Sequence, residues 1–211
     1  MYRNFSDLAK GAGRLMTSNW IMTRRDAVAL LPAAALLGAA PAQGRAEAVL
    51  GDDGLYHQSW FLNSFLDLRE DLDSAASEGK RLAIMWELRG CPYCRETHLV
   101  NFADPAITDY IRANFEVLQL NLLGARKVVD LDGKELTEKA LAERYAIRFT
   151  PTFQFFPPSA DGVAAKEPLA REVARAPGYL KPPHFLAMFR FVREKAYERG
   201  TFRDYLAASK G

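Results

Sequence analysis

The chain is poor in the residues that hold metals and staple small folds. Its 211 residues include two cysteines and three histidines. Two cysteines allow one intrachain bridge at most, so a disulfide framework is excluded. A closed zinc site needs four Cys or His ligands at suitable spacing. Here it would have to recruit from His57, His98 and His184. Covalent haem attachment needs a histidine directly after the second cysteine of a Cys-x-x-Cys pair, and Arg95 stands there. Charge of one sign is also lacking. Residues 1–46 hold six of the 28 Lys/Arg but two of the 26 Asp/Glu, so the remainder carries 22 basic and 24 acidic residues. The apparent basic balance belongs to the N-terminal stretch. The rest shows no electrostatic footprint for nucleic acid.

Long apolar runs are missing as well. The Ala/Leu-rich stretch from Ala27 to Ala42 is 16 residues long and contains Pro32. A membrane helix needs roughly 20. The stretch suits the apolar region of an export signal, with Arg24-Arg25 as its charged start. The paired arginines resemble a twin-arginine signal, although Ala27 stands where that motif usually has Phe. Small residues permit cleavage near Ala42, Ala46 or Ala48, and Met22 is an alternative start. The alternative is an uncleaved anchor. The expected organisation is therefore an export region over 1–46, an irregular lead-in over 47–63 and one folded domain over 64–211. That length suffices for a proper core.

What the chain does have is a cysteine pair in a particular setting. Leu82-Ala83-Ile84-Met85-Trp86 is a continuous apolar run, as in a strand buried on both faces. Glu87-Leu88-Arg89-Gly90 follows, then Cys91-Pro92-Tyr93-Cys94 at the start of a helix-compatible stretch reaching about Phe102. A helix start turns unpaired N–H groups toward the first sulfur and favours its thiolate, the nucleophilic form. Four readings compete: a redox pair, half of a metal site, haem attachment and an inert bridge. An inert bridge closing so small a loop would constrain the unfolded chain little. His98, four residues after Cys94, can share a helix face with it and keeps a metal-binding carrier open as an alternative. The local context favours the redox pair.

The remaining pattern alternates helices and strands. Phe65, Leu68, Leu72 and Ala75 predict a covering helix over 63–77. Asp104-Pro105 is a helix start, with the helix running to about 113. A strand is predicted over 115–122, a turn at Asp132-Gly133, and a helix over 136–145. Phe149, Phe153 and Phe155 argue for another strand. Pro151 inside it cannot donate to a ladder, which leaves a cis peptide after Thr150 or an edge strand. A last strand is predicted over 169–176. A helix beginning at Pro182-Pro183 presents Phe185, Met188, Phe189 and Val192, ends by Gly200, and is followed by a short helix turning Phe202, Tyr205 and Leu206 inward.

Cys91-Pro92-Tyr93-Cys94, the segment Tyr145-Ala146-Ile147-Arg148 through Thr150-Pro151-Thr152, and Gly178 together resemble the thioredoxin superfamily over about 64–192. A finer likeness, resting also on Asp132-Gly133-Lys134 and Pro177-Gly178-Tyr179-Leu180, is to periplasmic thioredoxins of the SoxW type, linked to bacterial sulfur oxidation. The resemblance implies an α/β thioredoxin-like fold, with a central mixed sheet covered by helices on both faces and Pro151 in the cis form. It implies an exported thiol–disulfide oxidoreductase with no cofactor beyond the redox-active pair. Cys91 would attack and Cys94 would resolve, supported by Pro151, Thr150, Pro92, Tyr93, Trp86 and Glu87. The expected partners are periplasmic proteins with disulfides or thiols and a membrane or soluble thiol donor. A disulfide oxidase or isomerase is the nearest alternative. One position departs from the family: Met85 stands where ordinary thioredoxins carry a buried proton-accepting aspartate. Glu87, two residues on, is either a substitute base or a solvated residue at the strand end.

Overall fold

The computed structural model describes residues 48–209; the predicted export stretch lies outside them. Four strands form the central sheet: β3 (Arg81–Glu87), β4 (Phe115–Asn121), β7 (Thr152–Phe155) and β8 (Ala174–Pro177), in the order β4-β3-β7-β8. The pair β3–β4 is parallel; β3–β7 and β7–β8 are antiparallel. All seven residues of β3 are buried. This is what a continuous apolar run requires, because each successive side chain faces the opposite side of the sheet.

The two faces carry separate cores. Leu82, Ile84 and Trp86 join Leu118 and Leu120 on one face. They pack against Leu68, Leu72 and Ala75 of helix α1 (Leu68–Ser77) and Leu141 and Ala142 of α4 (Glu138–Arg144). Ala83 and Met85 join Phe153 and Phe155 on the other. There they meet Ile107 and Ile111 of α3 (Pro105–Asn114) and Phe185, Met188, Phe189 and Val192 of α5 (Pro182–Arg193). Phe202 and Tyr205 of α6 (Phe202–Ala208) cover its edge. Each fully buried Leu or Phe contributes about 1.5–3 kcal/mol of apolar burial. The α/β class and the mixed sheet with helices on both faces are thus as the sequence implied.

Several boundaries differ from the sequence expectation. Helix α1 starts at Leu68, because the Asp67 carboxylate accepts the N–H groups of Arg69 and Glu70 and caps it there. Phe65 is consequently outside the stripe and 99% exposed. The segment expected to begin a helix at Leu136 starts as a hairpin, β5 (Lys127–Val129) with β6 (Glu135–Thr137), around Asp132-Gly133. Phe149 lies before β7 rather than in it and is exposed. The last strand begins at Ala174, after a short turn over Pro168–Ala170. The lead-in folds into a two-residue hairpin, β1 (Val49–Leu50) with β2 (Tyr56–His57).

Candidate functional site

Strand β3 delivers the chain to the cysteines. Cys91 is the N-cap of α2 (Pro92–Glu96), and Pro92 takes the first helical position, where its missing N–H costs nothing. Cys91 Sγ accepts the Cys94 backbone N–H at 3.1 Å. The two sulfurs are joined in a disulfide, with Cα atoms 5.3 Å apart. They are not equivalent. Cys91 is half-buried at the surface and Cys94 is buried. The geometry therefore offers one sulfur to an incoming group and keeps the other behind it.

The Thr150–Pro151 peptide is cis, as the resemblance implied. The Thr150 carbonyl oxygen lies 3.5 Å from Cys91 Sγ. Pro151 is held from behind: Gly178, at φ 81°, donates its N–H to the Pro151 carbonyl at 2.7 Å. Thr152 Oγ1 donates to the Phe149 carbonyl at 2.7 Å and fixes the turn. Tyr93 is exposed and stacks on Tyr179. Trp86 is fully buried beneath the site, with its indole N–H donated to Gln154 Oε1 at 3.0 Å.

Glu87 is not a solvated strand end. It is 1% exposed and flanked on both oxygens. His98 Nε2 lies 2.8 Å from Glu87 Oε1, and the Gln119 side-chain amide donates to Glu87 Oε2. His98 reaches it because the helix after Cys94 widens into a π-turn over Thr97–Asn101, with Phe102 N–H donating to the Thr97 carbonyl at 2.9 Å. That turn buries Thr97, His98 and Asn101 and leaves Leu99 and Val100 outside. Single π-turns of this kind recur at functional sites. Gln58 Nε2 lies 3.2 Å from His98 Nδ1. Both ring nitrogens are thus engaged. Among the described residues no three His, Cys, Asp or Glu side chains are placed to hold a metal.

Arg89 and Arg95 brace the lead-in hairpin. Arg89 donates through Nε and Nη2 to the carbonyls of Asp53 and Asp52, both at 3.0 Å. Arg95 Nε donates to the Tyr56 hydroxyl at 3.2 Å. Between hairpin and helix a cleft of about 480 Å³ opens onto both cysteines, with Leu50, Leu55, Tyr56 and Glu87 in its walls. Gln58, Tyr56 and Gln119 were not singled out in the sequence. Nothing in a short irregular lead-in or a strand glutamine marks them; only the fold brings them to the carboxylate.

A family model described as a thioredoxin-like domain matches residues 68–193, more than half of the chain. The chain belongs to the thioredoxin-like family. No curated protein matches the sequence. Among solved structures, a thioredoxin-fold protein from Helicobacter pylori is 21% identical, covering 67% of this chain and 93% of its own, with a TM-score of 0.45. A thioredoxin from Thermus thermophilus is 28% identical over 58% of this chain and 81% of its own, also at 0.45. The poplar thioredoxin h PtTrxh4 is 15% identical over 58% and 86%, at 0.38. The match over 68–193 carries the assignment. Members of this family are typically redox enzymes, and the paired sulfurs of Cys91 and Cys94 fit thiol–disulfide chemistry.

Proposed function

We propose that the protein is an exported thiol–disulfide oxidoreductase that reduces disulfides of partner proteins. The observation that carries this is the asymmetry of the pair: a reachable Cys91 capping a helix, a buried Cys94 one turn on, and the Thr150 carbonyl alongside. In the dithiol form the Cys91 thiolate attacks one sulfur of a partner disulfide. A bond forms between Cys91 Sγ and that sulfur; the other partner sulfur leaves as a thiolate and takes a proton. Cys94 then loses its proton and attacks Cys91 Sγ. The Cys91–Cys94 bond forms, the partner's second sulfur departs as a thiol, and two electrons have passed to the partner. No cofactor enters this reading. Glu87 is the proton acceptor for Cys94, in place of the aspartate the family carries two residues earlier. Thr150 and Pro151 flank the partner segment, and Tyr93 and Pro92 form its exposed floor.

Export to the periplasm is supported by Arg24-Arg25 ahead of the Ala27–Ala42 stretch. The residues shared with SoxW-type thioredoxins support a partner in sulfur oxidation, with a membrane or soluble thiol donor restoring the dithiol. The test is insulin reduction under a thiol donor, with the reduction potential measured beside it. A reductant lies near the thioredoxin end of the range, about −270 mV, and an oxidase near about −120 mV. Loss of activity in Cys91→Ser is expected; undiminished activity would overturn the reading.

A further inference from the structure

The lead-in hairpin builds a wall beside the reactive sulfur. Strands β1 and β2 pair Leu50 with Tyr56, and Gly51 donates its N–H to the Leu55 carbonyl at 2.8 Å to close the turn. Three side chains fasten the hairpin to the rest of the site. Gln119 of β4 donates to the Tyr56 carbonyl at 2.7 Å. Arg95 of α2 donates to the Tyr56 hydroxyl, and Arg89 to the Asp52 and Asp53 carbonyls. The wall is thus built before a partner arrives, which lowers the ordering cost of binding. The cleft between hairpin and α2 is chiefly apolar, lined by Leu50, Leu55, the Tyr56 ring, Leu88 and Pro92. Its charged members are engaged elsewhere: Glu87 by His98 and Gln119, Arg89 and Arg95 by the hairpin. Leu55 is buried and anchors the hairpin, whereas Leu50 is 57% exposed at the cleft wall. Covering Leu50 and its neighbours with a second apolar group removes that surface from water.

We propose that this cleft selects partners by an apolar side chain directly beside the cysteine that Cys91 attacks, with Leu50 as the specificity-determining residue. The proposal rests on the dithiol exchange above and names the substrate class of that same site. Its occupant follows from where the sulfurs lie. Cys91 and Cys94 both stand in the cleft wall, and in the mixed disulfide the partner cysteine is bonded to Cys91 Sγ. Consecutive Cα atoms are about 3.8 Å apart, so the residue next to that cysteine comes within reach of the cleft. The volume of about 480 Å³ falls in the range of about 300–1,000 Å³ that takes small ligands, and so has room for a leucine or aromatic side chain. An acidic neighbour would find Arg89 and Arg95 already donating to the hairpin, and would bring a carboxylate against leucines. A serine would gain little from apolar walls. Thr150 and Pro151 thus flank the partner's backbone, while the hairpin reads the side chain beside its cysteine.

The test uses the reduced full chain and disulfide-linked dimers of three blocked tripeptides, Leu-Cys-Leu, Ser-Cys-Ser and Asp-Cys-Asp. Single-turnover reduction is followed by acid quench over a range of peptide concentrations. Each rate is divided by that of dithiothreitol on the same peptide, which removes intrinsic disulfide reactivity. An apolar pocket separates side chains by about 10–200-fold per methylene. The leucine peptide is therefore expected to be reduced at least tenfold more efficiently than the serine peptide, with the gain in the half-saturating concentration, and the aspartate peptide to be slowest. Leu50→Asp is expected to erase at least fivefold of the leucine preference while leaving the serine peptide within about twofold, and Leu50→Met to restore it. Val49→Ser, one residue away on the same strand and outside the cleft wall, is expected to leave all three rates unchanged. Equal normalised rates for the three peptides, a preference for aspartate, or a leucine preference that survives Leu50→Asp overturns the proposal while leaving dithiol exchange standing. Failure of the wild type to reduce any of the peptides, or reduction that persists in Cys91→Ser, would instead overturn the underlying reading.

Discussion

The backbone N–H of Cys94 points at Cys91 Sγ from 3.1 Å, so the residue that shields its own sulfur also hydrogen-bonds its partner's. A hydrogen bond to the charged form of a group favours that form. The two thiols of the reduced protein should therefore differ in reactivity. At neutral pH, Cys91 is expected to be alkylated by iodoacetamide at least tenfold faster than Cys94, which is only 4% exposed. Mass spectrometry of partially modified protein reads the ratio. Cys94→Ala is expected to leave the Cys91 mixed disulfide trapped on its partner.

Gly54 ties the lead-in hairpin to the redox loop. Its φ is +78°, and a Cβ there would stand 2.5 Å from Arg89 Nε. Arg89 is the side chain that grips the Asp52 and Asp53 carbonyls. Gly54→Ala is expected to cost about 1–2 kcal/mol from backbone strain. It should also loosen the hairpin, which hydrogen exchange at Leu55 and Tyr56 would register.

Asp71 gives a stability profile with a definite sign. Burial pushes its carboxyl up to about 6, helped by Asp67 and Glu70 and opposed by the Ser64 hydroxyl, which donates to it at 2.6 Å. The folded chain then binds a proton that the unfolded chain has lost between about pH 4 and 6. Stability falls as pH rises through that window, by something on the order of 2–3 kcal/mol. Asp71→Asn should flatten this part of the curve in urea unfolding. Asp132 acts the other way. Its bonds to Arg144 and Arg171 hold its carboxyl well below the usual range, so the stability it contributes is lost only as pH falls below about 4.

The largest effect away from the site is expected at Arg171. Its guanidinium is 3% exposed and donates to Asp130 and Asp132, each at 2.9 Å. Asp130 is fully buried, with further bonds from Arg144 at 2.8 Å and the Tyr145 hydroxyl at 2.8 Å. Arg171→Met leaves that carboxylate short of one cation. Breaking a buried pair from one side costs about 3–5 kcal/mol. The remaining partners put the expected loss near the lower figure, with redox activity at the permissive temperature unchanged.

The sequence disclosed the parts of the site that local chemistry determines. The apolar run before Cys91, the Pro92 helix start and the awkward Pro151 each signal their geometry through neighbours a few residues away. The sheet class and the second core, built on Phe185, Met188, Phe189 and Val192, were legible for the same reason. Long-range partners were not. Gln58 meets His98 across 40 residues and Gln119 meets Glu87 across 32, and neither pairing leaves a mark on the chain. Phe65 was misplaced because its spacing fits the stripe of Leu68 and Leu72, while the Asp67 cap sets the helix start after it.

The most direct measurement is a count of sulfurs. Reduced protein is mixed with an excess of a protein disulfide substrate; free thiols are titrated and the new bond is mapped by mass spectrometry. Loss of both thiols per chain, gain of two on the substrate and a Cys91–Cys94 peptide are predicted, all absent in Cys91→Ser. Thiols that stay reduced, or substrate reduction that persists without Cys91, would contradict the account.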